Sequence, residues 1–160
     1  MATTNNTKKF QTIHHSSLIE EEVATNLYNY LEKNIPWVNG IPSRILGFTR
    51  KAFPVTDLSR YPFLAEAIRV AIMNMMPGNV VCHGIYLNYY RNGEDYTPQH
   101  SHKDTKQLII SLGATRTLKV ASKNYSMKNG DVIVFGSSIH GIPKEPEVKE
   151  GRISIAVFLQ

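Results

Sequence analysis

The chain has 160 residues, 42% hydrophobic and 19% charged, with a formal net charge of +5. That length reads as a single domain, residues 1–160, with enough apolar material for a core, and the composition excludes a disordered polyelectrolyte. One cysteine, Cys82, excludes an internal disulfide; set between Val81 and His83, it is expected to be a small buried side chain. The positive charge favours polyanions, so single-stranded or alkylated nucleic acid stands as a candidate partner. The polar start, Met1 to Gln11, lacks the apolar segment of a leader, and no run is long enough for a bilayer. The expectation is an intracellular monomer with no membrane association.

In chain order, residues 1 to about 10 read as a loose tail. Ser17 and Glu20 have the spacing of a capping box, and Ile19, Val23, Leu27, Tyr30 and Leu31 recur as one helical stripe that Pro36 ends. Glu20, Glu21 and Glu22 fall in its first turn, where the helix dipole favours them. His14 and His15, beside the tail, are expected to be solvated. Trp37 to Pro54 is a connection with strand character at Arg44–Phe48, and Trp37, Phe48 and Phe53 are core candidates. Pro62 opens a second helix, with Leu64, Ile68, Ala71, Ile72 and Met75 as its buried face and Pro77-Gly78-Asn79 as its stop. The texture then changes to short strands: Cys82 to Tyr90, Gln107 to Leu112, Thr117 to Ala121, Asp131 to Phe135 and Arg152 to Leu159, broken at Gly113-Ala114, Lys128-Asn129-Gly130 and Glu150-Gly151. Two helices followed by many short strands give an α+β class, a sandwich or barrel with the helices packed on one face.

Chemistry concentrates between Asn88 and Asp104. Residues two apart in a strand share a face, so His100, His102 and Asp104 would point the same way, and His140 follows the strand Asp131 to Phe135. Two histidines and a carboxylate on one face of an octahedral ion leave open positions, the arrangement of non-haem Fe(II) oxygenases. A surface His–Asp pair or a satisfied core histidine is the plainer alternative. The last strand alternates: Ile153, Ile155, Val157 and Leu159 on one face, Arg152, Ser154, Ala156 and Phe158 on the other. An arginine on a core strand needs a buried anion, and a carboxylate matches its fork. An internal acid, or a strand-end arginine reaching water, would serve equally.

From Tyr86 to Phe158 the sequence resembles the AlkB-like Fe(II)/2-oxoglutarate dioxygenases. The matching pieces are Asn88-x-Tyr90-x-x-Gly93-x-Asp95, His102-x-Asp104, Ser111-Leu112-Gly113, Asn129-Gly130-Asp131-Val132-Ile133-Val134-Phe135-Gly136, His140-Gly141-Ile142-Pro143 and Arg152. The resemblance implies a double-stranded β-helix, a jelly-roll core with two N-terminal helices packed on one face. It implies a metal centre of His102, Asp104 and His140. Arg152 would pair with the far carboxylate of 2-oxoglutarate, and Asn88 and Tyr90 would hydrogen-bond the same cosubstrate. With Fe(II), 2-oxoglutarate and O2 as cofactors, the implied activity is oxidative demethylation of alkylated nucleic-acid bases, releasing succinate, CO2 and formaldehyde.

Four departures matter. Phe158 stands where the family has its second arginine, and Thr105 and Lys106 follow the His-x-Asp where an acid is common. The step from Asn-x-Tyr to His-x-Asp is longer than usual, which makes His100 a competing ligand or a neighbour behind the ligands. The segment before Asn88 is short for a nucleotide-recognition lid. A protein side chain or small molecule is therefore kept as an alternative substrate, and a non-catalytic jelly-roll binding module as an alternative function.

Overall fold

The alternation in Arg152–Leu159 decides how the layers are arranged, because its two faces meet different surroundings. The computed structural model describes residues 10–39, 49–76 and 78–160. In order these form β1 (Ile13–His15), α1 (Glu21–Asn34), β2 (Val38–Asn39), β3 (Lys51–Val55), a 3-10 turn (Leu58–Arg60) and α2 (Pro62–Met75). Then come β4 (Cys82–Tyr90), β5 (Thr97–His100), β6 (Lys106–Gly113), β7 (Arg116–Val120), β8 (Lys123–Met127), β9 (Val132–Phe135), β10 (His140–Ile142) and β11 (Arg152–Leu159). A seven-stranded sheet runs β1-β9-β6-β11-β4-β3-β2, with β11 at its centre, and a four-stranded sheet runs β5-β10-β7-β8. The strand pairings are antiparallel.

Ile153, Ile155, Val157 and Leu159 join Leu108, Ile110, Leu112, Val132 and Val134 in one core cluster with Leu27 and Leu31 of α1 and Leu64, Ile68 and Ala71 of α2. Burying each such side chain stabilises the fold by about 1.5–3 kcal/mol. The opposite faces contribute Ile109, Ile133, Phe135 and Ala156 to a second cluster with Leu118, Val120, Met127 and Ile142 of the smaller sheet. This second layer is incomplete. On that face of β11 lie Arg152 and Ser154, and a cavity of about 860 Å³ opens over them.

Several expectations are corrected. The Ser17–Glu20 capping box is not made: α1 starts at Glu21 without a side-chain cap, and Ser17, at φ 54°, donates its backbone N–H to Asp131 Oδ1. Ala24, not Val23, completes the buried stripe with Leu27 and Leu31. His14 is not simply solvated, since β1 pairs with β9 and His14 Nε2 lies 3.0 Å from Asp131 Oδ2. Cys82 is exposed, at the first residue of β4 where neighbouring His83 is exposed too. The strand character read at Arg44–Phe48, and Pro77 in the helix stop, lie outside the described residues. Among the described residues no helix is long and apolar enough to cross a membrane.

Candidate metal centre

β5 and β10 are adjacent antiparallel strands, and their register sets His100 opposite His140. His102 follows two residues after β5, and its ring closes the group. The centroid separations are 4.8 Å for His100–His102, 4.4 Å for His100–His140 and 5.6 Å for His102–His140. One ring nitrogen from each lies within 4.8 Å of the others, close enough for one ion to bind all three. Asp104, expected as the carboxylate ligand, is not in this group. Residues 101–105 are loop rather than strand, and Asp104 sits exposed at φ 54°, so the two-residue strand period that would align it with His102 does not apply there.

Hydrogen bonds fix the imidazoles for a metal. His100 Nδ1 lies 2.8 Å from the Pro98 carbonyl and His140 Nδ1 2.9 Å from the Ser138 carbonyl. A carbonyl only accepts, so each Nδ1 carries the proton and each Nε2 keeps its lone pair. At His140 that Nε2 lone pair accepts from the amide of Gln107 at 3.2 Å, a bond a metal ion would have to replace, and the ring rests 4.8 Å from Phe135. Burial pushes His140 down to about 4, against the pull of the Ser138 carbonyl. Burial, and then neighbouring His100, also lowers His102. Both therefore stand neutral at physiological pH, the form that ligates. Imidazoles on one side of a cavity suit a borderline divalent ion such as Fe(II).

Two buried arginines show what the rest of the cavity does. Arg116 is satisfied internally: it donates to Glu145 Oε1 at 3.2 Å and to the carbonyls of Asn92, Asp95 and Pro143. Arg152 is equally buried, 1% exposed, yet its one hydrogen bond of full geometry is from Nε to Ser111 Oγ at 2.8 Å, with the Tyr90 hydroxyl otherwise its nearest polar neighbour. Its Nη1 and Nη2 are buried without a hydrogen bond, and among the described residues no carboxylate pairs with it. The guanidinium carbon lies 5.3 Å from the centroid of the Tyr90 ring, and burial lowers the group to about 10. A buried cation with two free parallel donors beside a cavity fits an external carboxylate. The residues present thus fit a 2-oxoglutarate.

Asn88 and Tyr90 line the same cavity with Arg152, Ser154, His100, His102 and His140. Tyr90 shares a 2.7 Å hydrogen bond with Thr97, and Asn88 Oδ1 accepts from Arg50 Nε at 2.8 Å. Other motif residues are structural. A side chain at Gly93 would collide with the Glu145 carbonyl, and Asp95 accepts from the backbone and guanidinium of Arg91. Gln107 and Tyr86 were not singled out from sequence as site residues. Gln107 reads as an ordinary strand residue, and nothing in its neighbours marks it.

No protein-family model matches the chain, and no curated protein does. Solved structures do. The non-haem, α-ketoglutarate-dependent carbocyclase SnoK from nogalamycin biosynthesis superposes with a TM-score of 0.71 at 9% identity, covering 94% of this chain and 80% of that one. HygX from Streptomyces hygroscopicus, with nickel and 2-oxoglutarate bound, gives 0.67 at 8%, covering 94% and 83%. A prolyl-4-hydroxylase from Pseudomonas putida gives 0.59 at 10%, covering 94% and 92%. The chain has the fold of these oxygenases: antiparallel sheets in a jelly-roll core, accompanied by two helices.

Proposed function

We propose that the protein is a 2-oxoglutarate-dependent non-haem iron oxygenase whose metal is held by His100, His102 and His140 and whose cosubstrate is held by Arg152. The observation that carries this reading is the unpartnered guanidinium of Arg152 in the cavity that also holds the three imidazoles. Ferrous iron with 2-oxoglutarate supplies a balanced oxidation: substrate R–H, O2 and 2-oxoglutarate give R–OH, succinate and CO2, with dioxygen taking two electrons from the cosubstrate and two from the C–H bond. The chain's own residues bind and orient. Ser111 holds Arg152 Nε and leaves Nη1 and Nη2, which would take the carboxylate, and the Pro98 and Ser138 carbonyls hold the imidazole tautomers. Asn88 and Tyr90 lie beside Arg152 along one face of β4.

Removal of an N-methyl group from a nucleic-acid base is one version of this chemistry, since a hydroxylated N-methyl collapses to formaldehyde. The AlkB-like motifs and the net charge of +5 support it. Anaerobic titration with Fe(II) and then 2-oxoglutarate tests the core reading: a visible charge-transfer band is expected, and its absence would sink the proposal. His100→Ala should weaken metal binding at least tenfold and Asp104→Ala should not. The reverse pattern would return the third ligand to the carboxylate.

A further inference from the structure

β4 and β11 lie side by side on the cavity floor, and their register grades it from polar to aromatic. Residues two apart share a face, and Arg152 pairs with Tyr90, Ser154 with Asn88, Ala156 with Tyr86 and Phe158 with Gly84. The first two pairs are the polar end, already assigned to the dicarboxylate. The last two form an aromatic corner: Tyr86 and Phe158 meet edge to face at 5.5 Å. Gly84 makes that corner possible, because a Cβ there would stand 2.9 Å from the Tyr86 ring, which lies back over the glycine. Phe158 in turn meets His102 edge to face at 4.9 Å, so the corner abuts the imidazole cluster. Tyr86 is 47% exposed although it lines the cavity. Ala52 and Pro54 of β3, which pair with Asn88 and Tyr86, extend the same wall.

We infer that the Tyr86–Phe158 corner is the substrate seat, and that it takes a small uncharged molecule with a planar ring, its oxidisable bond directed at the His102 side. This rests on the oxygenase reading above. Aromatic pairs bind a third ring by stacking or edge contact, each worth about 0.5–1.5 kcal/mol beyond the buried area. The cavity volume of about 860 Å³ lies in the range of small-molecule sites, roughly 300–1,000 Å³. Whatever the net charge, the cavity lining favours a neutral ring over a nucleic-acid strand, which needs a track of free cations for its phosphates. Of the described cations lining the cavity, Arg152 is sunk at the polar end and Arg50 is engaged by Asn88 and Thr49. Lys103 alone stands free at the rim.

The test uses the full chain with Fe(II), 2-oxoglutarate and O2, and reads succinate. The probes are 2-naphthol and indole as neutral rings, 2-naphthoate as the charged counterpart, and an N-methylated single-stranded oligonucleotide. The neutral rings should stimulate succinate formation at least fivefold, and naphthoate and the oligonucleotide should not. Tyr86→Ala should raise the KM for 2-naphthol about tenfold with kcat within twofold, and Phe158→Leu should give an intermediate KM. Stimulation by the oligonucleotide or by naphthoate to the same degree, or a KM indifferent to Tyr86, would overturn the inference. Calorimetry of 2-naphthol on the metal-free protein, with and without Tyr86→Ala, decides the seat independently of turnover. Anaerobic Fe(II) and 2-oxoglutarate binding by the unaltered chain separates failure of the seat from failure of the oxygenase reading.

Discussion

Arg116 and Arg152 are chemically identical, equally buried, and differ only in what surrounds their nitrogens. Arg116 closes a network of one carboxylate and three carbonyls. Arg152 leaves two nitrogens bare. A buried unpaired cation destabilises the fold that holds it, so Arg152 weakens the ligand-free protein, a cost that the proposed binding of an anion would offset. Arg152→Met should therefore move two observables in opposite directions. The ligand-free protein should gain on the order of 1–2 kcal/mol in urea unfolding. The 2-oxoglutarate affinity should fall at least about 100-fold, the loss of two charge-assisted hydrogen bonds worth roughly 1.5–3 kcal/mol each. Calorimetry on the Fe(II)-loaded protein checks the second, and a variant that loses stability instead would mean Arg152 already has a partner. The sequence alone indicated that Arg152 needs an anion, because a charge on an alternating apolar strand has few explanations. For the metal it pointed to His102, Asp104 and His140 with His100 as a competitor of His102, a choice that assumes one strand period through residues 101–105, which are loop.

At the scale of elements, length decided what could be read. β4, β6 and β11 run for eight or nine residues, long enough for alternation or a continuous apolar run to be recognised, and both helices show their buried stripes. β5 and β10 have four and three residues, and β5 contains Pro98, which reads as a strand breaker. Those two short strands carry His100 and His140 opposite each other, so the part of the fold that assembles the candidate metal centre was poorly visible in sequence. The Asn129-Gly130-Asp131 motif was visible but its role was not. Asp131, 1% exposed, accepts from the backbone of Ser17 at 2.9 Å and of Lys128 at 3.0 Å and meets His14, which ties β1 to the turn before β9. Asp131→Ala strands those donors and should cost about 2–4 kcal/mol in thermal or urea unfolding, whereas Asp131→Asn, which can still accept, should cost less. Amide exchange at Ile13–His15 should accelerate in the alanine variant. Unchanged protection there would show that β1 is held by its ladder with β9 alone.

For the whole molecule, the helices share one core cluster with the large sheet and the small sheet shares a second with it, and His140 of the small sheet packs on Phe135 of the large one with 4% exposure. Stability as a function of pH reports that burial. The fold holds His140 neutral to about pH 4, whereas an unfolded chain protonates it near 6.5. Between those values the unfolded state binds more protons, so stability rises with pH across the window. The contribution is fully present above pH 6.5 and is lost as pH falls toward 4, on the order of 3 kcal/mol when complete. The lowered His102 adds to the same slope. Urea midpoints with chelator present should therefore fall steadily from pH 7 to 4.5, ahead of most carboxylate titration. His140→Gln keeps a hydrogen-bonding side chain but cannot titrate, and it should flatten that slope while lowering stability at pH 7. Nickel, which competes with protons for the same Nε2 atoms, should shift the wild-type decline to lower pH and leave the glutamine variant much less affected. A wild-type protein whose midpoint does not move between pH 7 and 4.5 would mean that His140 is open to water and free to take its proton in the folded state.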